Sequence, residues 1–147
     1  MTDLKLLALD SEDLEVISAT TQDAVVRVGD MGFARGDGRF ALLMNRFAWE
    51  SGDKRGRGQR KRAALHFNRI TGVRSSGFDT DARDGVLELL AITFTEIDPP
   101  SGVVELRFAG GGTVRLMAEV LEARLEDSGA AWAAKATPRH DLDDRKV

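Results

Sequence analysis

Two kinds of hydrophobic periodicity run along this chain, a helical spacing near each end and a strand-like alternation between them. Residues 10–22 predict a helix, because Leu14, Ile17 and Thr21 lie three or four positions apart and share one face. Asp10 is the predicted N-cap, since its carboxylate can accept hydrogen bonds from the free amides of the first turn.

The middle of the chain has the pattern of an antiparallel sheet. Short runs of β-branched or alternating apolar residues predict strands, and stretches rich in glycine and aspartate predict the turns between them. The predicted strands are 24–28, 40–49, 63–67 with a continuation through Ile70 and Val73, 86–97, 104–108 and 114–116. The predicted turns and loops are 29–30, 35–39, 51–62, 75–85, 98–102 and 110–112.

Helical spacing returns in residues 117–128, which predict an amphipathic helix whose apolar face packs on the sheet. That face is made by Met117, Val120, Leu121 and Leu125. The predicted fold class is therefore α+β, a small antiparallel sheet, bent or closed into a partial barrel, with an N-terminal helix and a capping C-terminal helix. This order of elements is similar to the pleckstrin-homology-like architecture, a likeness that carries no argument about function.

Composition favours one small globular domain. The chain has 147 residues, of which 42% are hydrophobic and 31% charged, and it has no cysteine, which excludes disulfides and thiolate metal sites. We predict a single domain over residues 1–136 and a mobile polar tail over 137–147. Because no apolar run suits a signal peptide or a membrane span, we expect a cytoplasmic protein without a membrane partner.

Several short segments along the chain carry a family likeness. They are LKLLALDSEDL at 4–14, QDA at 22–24, NRFAWE at 45–50, LELLAI at 87–92, ELRFAGGG at 105–112, EARLEDSG at 122–129 and PRH at 138–140. In these segments the chain resembles a family of short bacterial proteins catalogued as domain of unknown function 2948. The resemblance covers nearly the whole length and implies a single domain. It implies no activity, ligand, cofactor or catalytic residue.

A basic segment, KRGRGQRKR at 54–62, is the most unusual feature of the composition. It holds six basic side chains and no acidic one, whereas the rest of the chain has 15 basic and 24 acidic side chains, a net charge of −9. Cations in a glycine-containing loop can neutralise phosphates, and Phe47 or Trp49 just upstream can stack on a base. The alternative is a solvated loop that only adds to solubility. The candidate anion-binding residues are Lys54, Arg55, Arg57, Arg60, Lys61 and Arg62.

Other motifs that suggest ligand binding are incomplete. The glycines at 110–112 lack the lysine and the serine or threonine of a phosphate-binding loop, and a tight turn explains them better. The aspartates at 79, 81 and 84 resemble a calcium loop, but Arg83 and Leu90 stand where oxygen ligands belong. His66 and His140 are the only histidines, and their spacing predicts no metal site.

No nucleophile, base and orienting group can be assembled from the sequence, so the main hypothesis is a non-catalytic binding or scaffolding domain without a cofactor. Its expected partner is a protein, bound through the sheet edges or the C-terminal helix. Two alternatives stay open. One is nucleic-acid or other polyanion binding through residues 54–62, and the other is an enzyme without a recognisable motif, with His66 beside a carboxylate.

Overall fold

The structure, a computed structural model, describes residues 4–48 and 59–127. Within these ranges nine strands form one sheet, and a single α-helix follows the first strand. The elements are β1 (Lys5–Ala8), α1 (Ser11–Thr20), β2 (Val25–Ala34), a 3-10 turn (Arg35–Asp37), β3 (Arg39–Ala48), β4 (Gln59–Phe67), β5 (Ile70–Ser76), β6 (Val86–Glu96), β7 (Gly102–Phe108), β8 (Thr113–Ala118) and β9 (Ala123–Asp127). The predicted tail, 137–147, lies outside the described residues.

Strand pairing is antiparallel throughout, in the order β1-β9-β4-β3-β2-β6-β7-β8-β5. β6 joins two halves of this sheet, because its first residues pair with β2 and its later residues pair with β7. We call β1-β9-β4-β3-β2 the first half-sheet and β6-β7-β8-β5 the second half-sheet. The inner faces of both halves pack into one hydrophobic core. A mostly antiparallel sheet with one helix agrees in outline with the α+β prediction.

The N-terminal helix forms where the sequence predicts it. The Asp10 carboxylate accepts a 2.8 Å hydrogen bond from the Asp13 amide, which satisfies one of the free donors of the first turn. Leu14 and Ile17 are buried in the core, and the Ser18 hydroxyl accepts a bond from the Ile92 amide of β6. No helix in the described part of the chain has the length and apolar character needed to cross a bilayer.

The predicted C-terminal helix is wrong over residues 117–127. This stretch contains the end of β8, a short connection and all of β9. Residues four apart share a face in a strand as well as in a helix, so Leu121 and Leu125 fit both periods. Pairing decides the outcome, because β9 forms hydrogen-bonded ladders with β1 on one side and β4 on the other. The pleckstrin-homology-like comparison depended on that helix and is not confirmed.

The predicted turn at residues 29–30 is also wrong, because β2 runs straight through it. The register between β2 and β3 shifts between Val26 and Met31, so these residues form an irregular stretch within the strand. A Cβ at Gly29 would lie 3.0 Å from the Arg83 carbonyl oxygen. The glycine therefore permits a close backbone approach rather than a chain reversal. The predicted turns at 35–39 and 110–112 are confirmed.

Candidate anion-binding site

The described end of the basic segment, residues 59–62, lies at one end of the ladder between β3 and β4. These strands pair continuously from Phe40 opposite Phe67 to Ala48 opposite Gln59. Residues 49–58, which include the candidates Lys54, Arg55 and Arg57, lie outside the described residues. The other three candidates, at positions 60–62, are strand residues. The predicted loop over 51–62 is therefore wrong at its C-terminal end, where pairing with β3 extends β4.

Strand alternation separates the three described cations. Ala63, Leu65 and Phe67 are buried in the core, so the odd-numbered residues of β4 point inward and the even-numbered residues point outward. Arg60 and Arg62 consequently share the outer face of the first half-sheet. Lys61 lies on the inner side, opposite Arg46 in the ladder.

Arg60 stacks on an aromatic ring. Its guanidinium carbon lies 4.4 Å from the centroid of Phe47, the residue directly opposite it on β3. One guanidinium nitrogen also donates a 3.3 Å hydrogen bond to the Asn45 carbonyl oxygen. The ring is half-buried and Arg60 is exposed. A cation held over a ring at such a site contributes about 0.5–1 kcal/mol, so the contact orders the arginine while leaving it open to solvent.

Arg62 faces a buried carboxylate at longer range. Its guanidinium lies 3.8 Å from Oδ2 of Asp30, and the two side chains are 40% and 11% exposed. This distance is long for a charge-assisted hydrogen bond, which is typically about 2.7–2.9 Å. The Arg62 side chain is 40% exposed and lies on the same face as the stacked Arg60.

A fully buried ion pair lies behind these residues. Nε and Nη2 of Arg46 donate to Oδ1 and Oδ2 of Asp127 at 2.7 and 2.8 Å, and the Leu4 amide donates to the same Oδ2 at 3.1 Å. Burial by itself raises the pKa of Asp127. The hydrogen bonds from Arg46 and Leu4, and the charges of Arg46 and Lys61, outweigh that effect and hold the pKa below its ordinary value. The pair is therefore ionised, and its charges cancel.

The sequence did not indicate this pair. Arg46 lies inside the motif NRFAWE, and nothing nearby distinguishes it from an exposed strand arginine. The signal that could have found it is the inward parity that it shares with the core residues Leu42 and Met44. Because residues 42, 44 and 46 face the same side of β3, the alternation predicts that residue 46 is buried, but it does not identify the partner of Arg46.

His66, the proposed residue of a catalytic site, is packed on the outer face of the sheet. It lies between Ala41 of β3 and Arg124 of β9 in the ladder. Burial lowers its pKa, and the charges of Arg39 and Arg124 lower it further against the opposing effect of two glutamates. A histidine in this setting is neutral at pH 7, since its pKa lies below the ordinary value of about 6.5.

His66 does not line either of two cavities formed by the described residues. One cavity of about 40 Å³ lies among Val28, Phe78 and Arg83, and a groove of about 200 Å³ runs along Lys5 and Arg124. Both are smaller than the roughly 300–1,000 Å³ typical of small-molecule sites, and His66 lines neither. The described residues also contain no group of three or more possible metal ligands.

Comparison with known proteins gives a family and nothing more specific. A family model described as protein of unknown function (DUF2948) matches residues 4–140, nearly the whole chain. This match confirms the resemblance carried by the sequence motifs. No curated protein and no solved structure matches the chain.

Proposed function

The chain belongs to the DUF2948 family of proteins of unknown function, and we propose that it is a non-catalytic domain that binds nucleic acid at the basic segment, residues 54–62. Sequence alone favoured a protein partner bound through the sheet edges or the C-terminal helix. The helix is absent from residues 117–127, whereas the described end of the basic segment has an organised surface. We therefore favour nucleic acid over a protein as the partner.

One observation carries this proposal, the stacking of Arg60 on Phe47 at 4.4 Å. An arginine held against a ring loses less side-chain entropy when it binds a phosphate than a freely rotating one does. Guanidinium and aromatic planes are also the surfaces on which unpaired bases stack in single-strand binding proteins. Arg62 lies on the same face and supplies a second cation for the backbone.

Charge distribution supports the same site. The basic segment has a charge of +6 on a chain that is otherwise −9. A polyanion is repelled by the net charge of the remainder and attracted to the segment, so encounters concentrate there. Lys54, Arg55 and Arg57 belong to this segment and would add phosphate contacts to those of Arg60 and Arg62.

The test is fluorescence anisotropy with labelled single-stranded RNA and DNA and with duplex DNA, at about 50 mM salt, where backbone contacts are strongest. We expect micromolar binding by the wild type. With about four to six phosphate contacts, a fourfold rise in salt should weaken it by roughly two to three orders of magnitude. If the wild type binds none of these probes at micromolar concentration, the proposal is contradicted, and a protein partner becomes the favoured alternative.

The diagnostic variant is Arg60→Ser/Arg62→Ser. Lys61 is left in place because its charge acts on the buried Asp127, so changing it would mix folding with binding. The matched control is Lys5→Ser/Arg69→Ser, which removes the same charge from two exposed ion pairs. We expect the affinity of the diagnostic variant to fall about tenfold or more, as for two phosphates that are no longer neutralised, and the affinity of the control to change little. Equal decreases in both variants would mean that only net charge matters.

A third variant, Phe47→Leu, tests the stacking platform separately from charge. Leucine keeps an apolar side chain at this half-buried position but removes the ring under Arg60. Without base stacking, the binding of single-stranded probes should weaken by about 1–3 kcal/mol per stacked base, while duplex DNA should be affected less. Identical decreases for single-stranded and duplex probes would exclude stacking on this ring.

A further inference from the structure

The second half-sheet has a group of arginines on its outer face. Val104, Leu106 and Phe108 of β7 are buried, so Arg107 points away from the core. On β8 the same alternation directs Arg115 outward, and Arg74 of β5 lies directly opposite Arg115. Side chains that are directly opposite on paired strands share a face. We call Arg74, Arg107 and Arg115 the arginine face.

The ladder brings two like charges together at the centre of this face. Side chains directly opposite each other in an antiparallel pair have Cβ atoms only about 4.5–5.5 Å apart, and like charges at that position are destabilising. Arg115 is partly neutralised, because its Nε donates a 3.0 Å hydrogen bond to Oε2 of Glu105. In the part of the chain that the structure describes, neither Arg74 nor Arg107 has a carboxylate within salt-bridge distance.

The arginine face therefore has an excess of positive charge. Its other outward residues are uncharged except for Glu105 and, near the start of β6, Glu88, so three cations face two anions. Two hydroxyls, of Ser76 and Thr113, lie on the same face 2.9 Å apart. Lys5 and Arg69, which are also exposed, differ in that each has a glutamate partner. An anion on the arginine face would relieve the repulsion between Arg74 and Arg115.

We propose that the arginine face binds the phosphodiester backbone of nucleic acid without reading its sequence. The face is open and its arginines are exposed, so a single phosphate gains little there, as exposed ion pairs do. A polymer gains affinity by contacting several cations at once and releasing counterions. The outward positions of the second half-sheet carry no aromatic side chain, so bases have no stacking partner on these strands. The arginines can therefore contact the phosphate backbone of the nucleic acid, but these strands provide no ring on which its bases could stack.

This surface is separate from the described residues of the basic segment, 59–62. Residues 60–62 of the basic segment lie in β4 of the first half-sheet, whereas the arginine face belongs to β5, β7 and β8 of the second half-sheet. The proposal does not require that residues 54–62 bind anything. The two surfaces can therefore be tested separately with the same probes.

The test is the affinity of the full chain for a labelled DNA duplex, measured by fluorescence anisotropy over a series of salt concentrations. The variant is Arg74→Ser/Arg107→Ser, and the control is again Lys5→Ser/Arg69→Ser. The variant should bind more weakly, and the slope of log affinity against log salt should become shallower by about two, one for each phosphate that an arginine no longer neutralises. An unchanged slope, or no binding by the wild type at about 50 mM salt, overturns the proposal.

A second variant, Arg74→Glu, distinguishes a loss of binding from a loss of folding. It replaces the like-charge pair with an opposite-charge pair across the same ladder, so its thermal midpoint should match or exceed that of the wild type. Its duplex affinity should nevertheless fall. A stable Arg74→Glu protein with wild-type affinity would overturn the proposal.

Further controls distinguish nucleic acid from other phosphate-containing ligands, and the arginine face from the basic segment. Inorganic phosphate at millimolar concentration should not displace the duplex beyond its effect on ionic strength. Vesicles that contain phosphatidylserine should bind the wild type and Arg74→Ser/Arg107→Ser equally; vesicle binding that depends on these arginines, with unchanged duplex binding, overturns the proposal. Loss of duplex binding only in Arg60→Ser/Arg62→Ser supports binding at the basic segment and contradicts binding at the arginine face. Loss of duplex binding only in Arg74→Ser/Arg107→Ser supports the arginine face and contradicts the basic segment.

Discussion

Arg46 and Asp127 lie 81 positions apart in the sequence and meet in a two-pronged ion pair in which the side chains are 0% and 1% exposed. The Leu4 amide completes the site by donating to the same carboxylate. The pair thus connects β3, β9 and the residue before β1. Because burying two charges costs several kcal/mol per ion, we expect it to fix the arrangement of these strands more than it adds net stability.

Removing one member of this pair should be costly. Arg46→Leu leaves the Asp127 carboxylate buried without its main partner, and the free energy of unfolding should fall by about 3–5 kcal/mol. In the double variant Arg46→Leu/Asp127→Leu no charge remains, so its loss of stability should be well below the sum of the two single losses. Urea denaturation of the four proteins measures this coupling.

The exposed pair of Arg69 and Glu119 is the matched control for that cycle. Its Nε–Oε1 distance is 3.0 Å, but the side chains are 58% and 54% exposed. Its coupling energy should be at most about 1 kcal/mol, because solvent screens exposed pairs. A coupling energy between Arg46 and Asp127 no larger than that of the control would contradict their assignment as a buried pair.

Acid should remove the stabilisation that comes from ionised Asp127. The folded-state pKa is lowered, so the folded protein binds this proton less readily than the unfolded chain does. The stabilisation is therefore present above the unfolded pKa of about 3.9 and is lost as the pH falls below that value and through the lowered folded-state pKa. Chemical denaturation from pH 6 to pH 3 measures it, and the double variant Arg46→Leu/Asp127→Leu should show a shallower decline. Equal declines would mean that other carboxylates dominate.

His66 should make stability pH-dependent in a different range. Burial and the nearby arginines lower its folded-state pKa, so the folded protein favours the neutral ring. The unfolded chain binds the proton more readily, and stability should decrease as the pH falls below about 6.5. His66→Gln should flatten the profile between pH 7 and pH 5. An NMR titration of the wild type with a His66 pKa at or above 6.5 would disprove this prediction.

Leu121→Ala should cost about 2–5 kcal/mol, as expected for a cavity in a packed core. Periodicity predicted a docked helix around this residue; in the structure it is 2% exposed in the connection between β8 and β9. Leu9→Ala is the matched control, since Leu9 is 57% exposed and its truncation should stay within about 0.5 kcal/mol. Thermal or urea unfolding measures both. Similar losses of stability at the two positions would contradict the burial of Leu121.

Features governed by neighbouring residues were predictable from the sequence. The cap at Asp10 and the apolar spacing of Leu14 and Ile17 specify α1, since a helix forms its hydrogen bonds within its own segment. Val104 and Phe108 show the alternation of a half-buried strand. The positive charge of the basic segment was likewise visible as composition. Each of these depends on interactions within a few residues.

Tertiary pairing decided the rest. Residues 117–127 fit both helical and strand spacing, and they form strands because β1 and β4 supply hydrogen-bonding partners for β9. The stacking of Arg60 on Phe47 and the placement of Arg74 against Arg115 depend on ladder register, in the second case between residues far apart in the chain. The partner of Arg46 lies still farther away. A strand leaves its backbone hydrogen bonds to other segments, so local sequence gives the alternation of faces while the neighbours come only from the folded sheet.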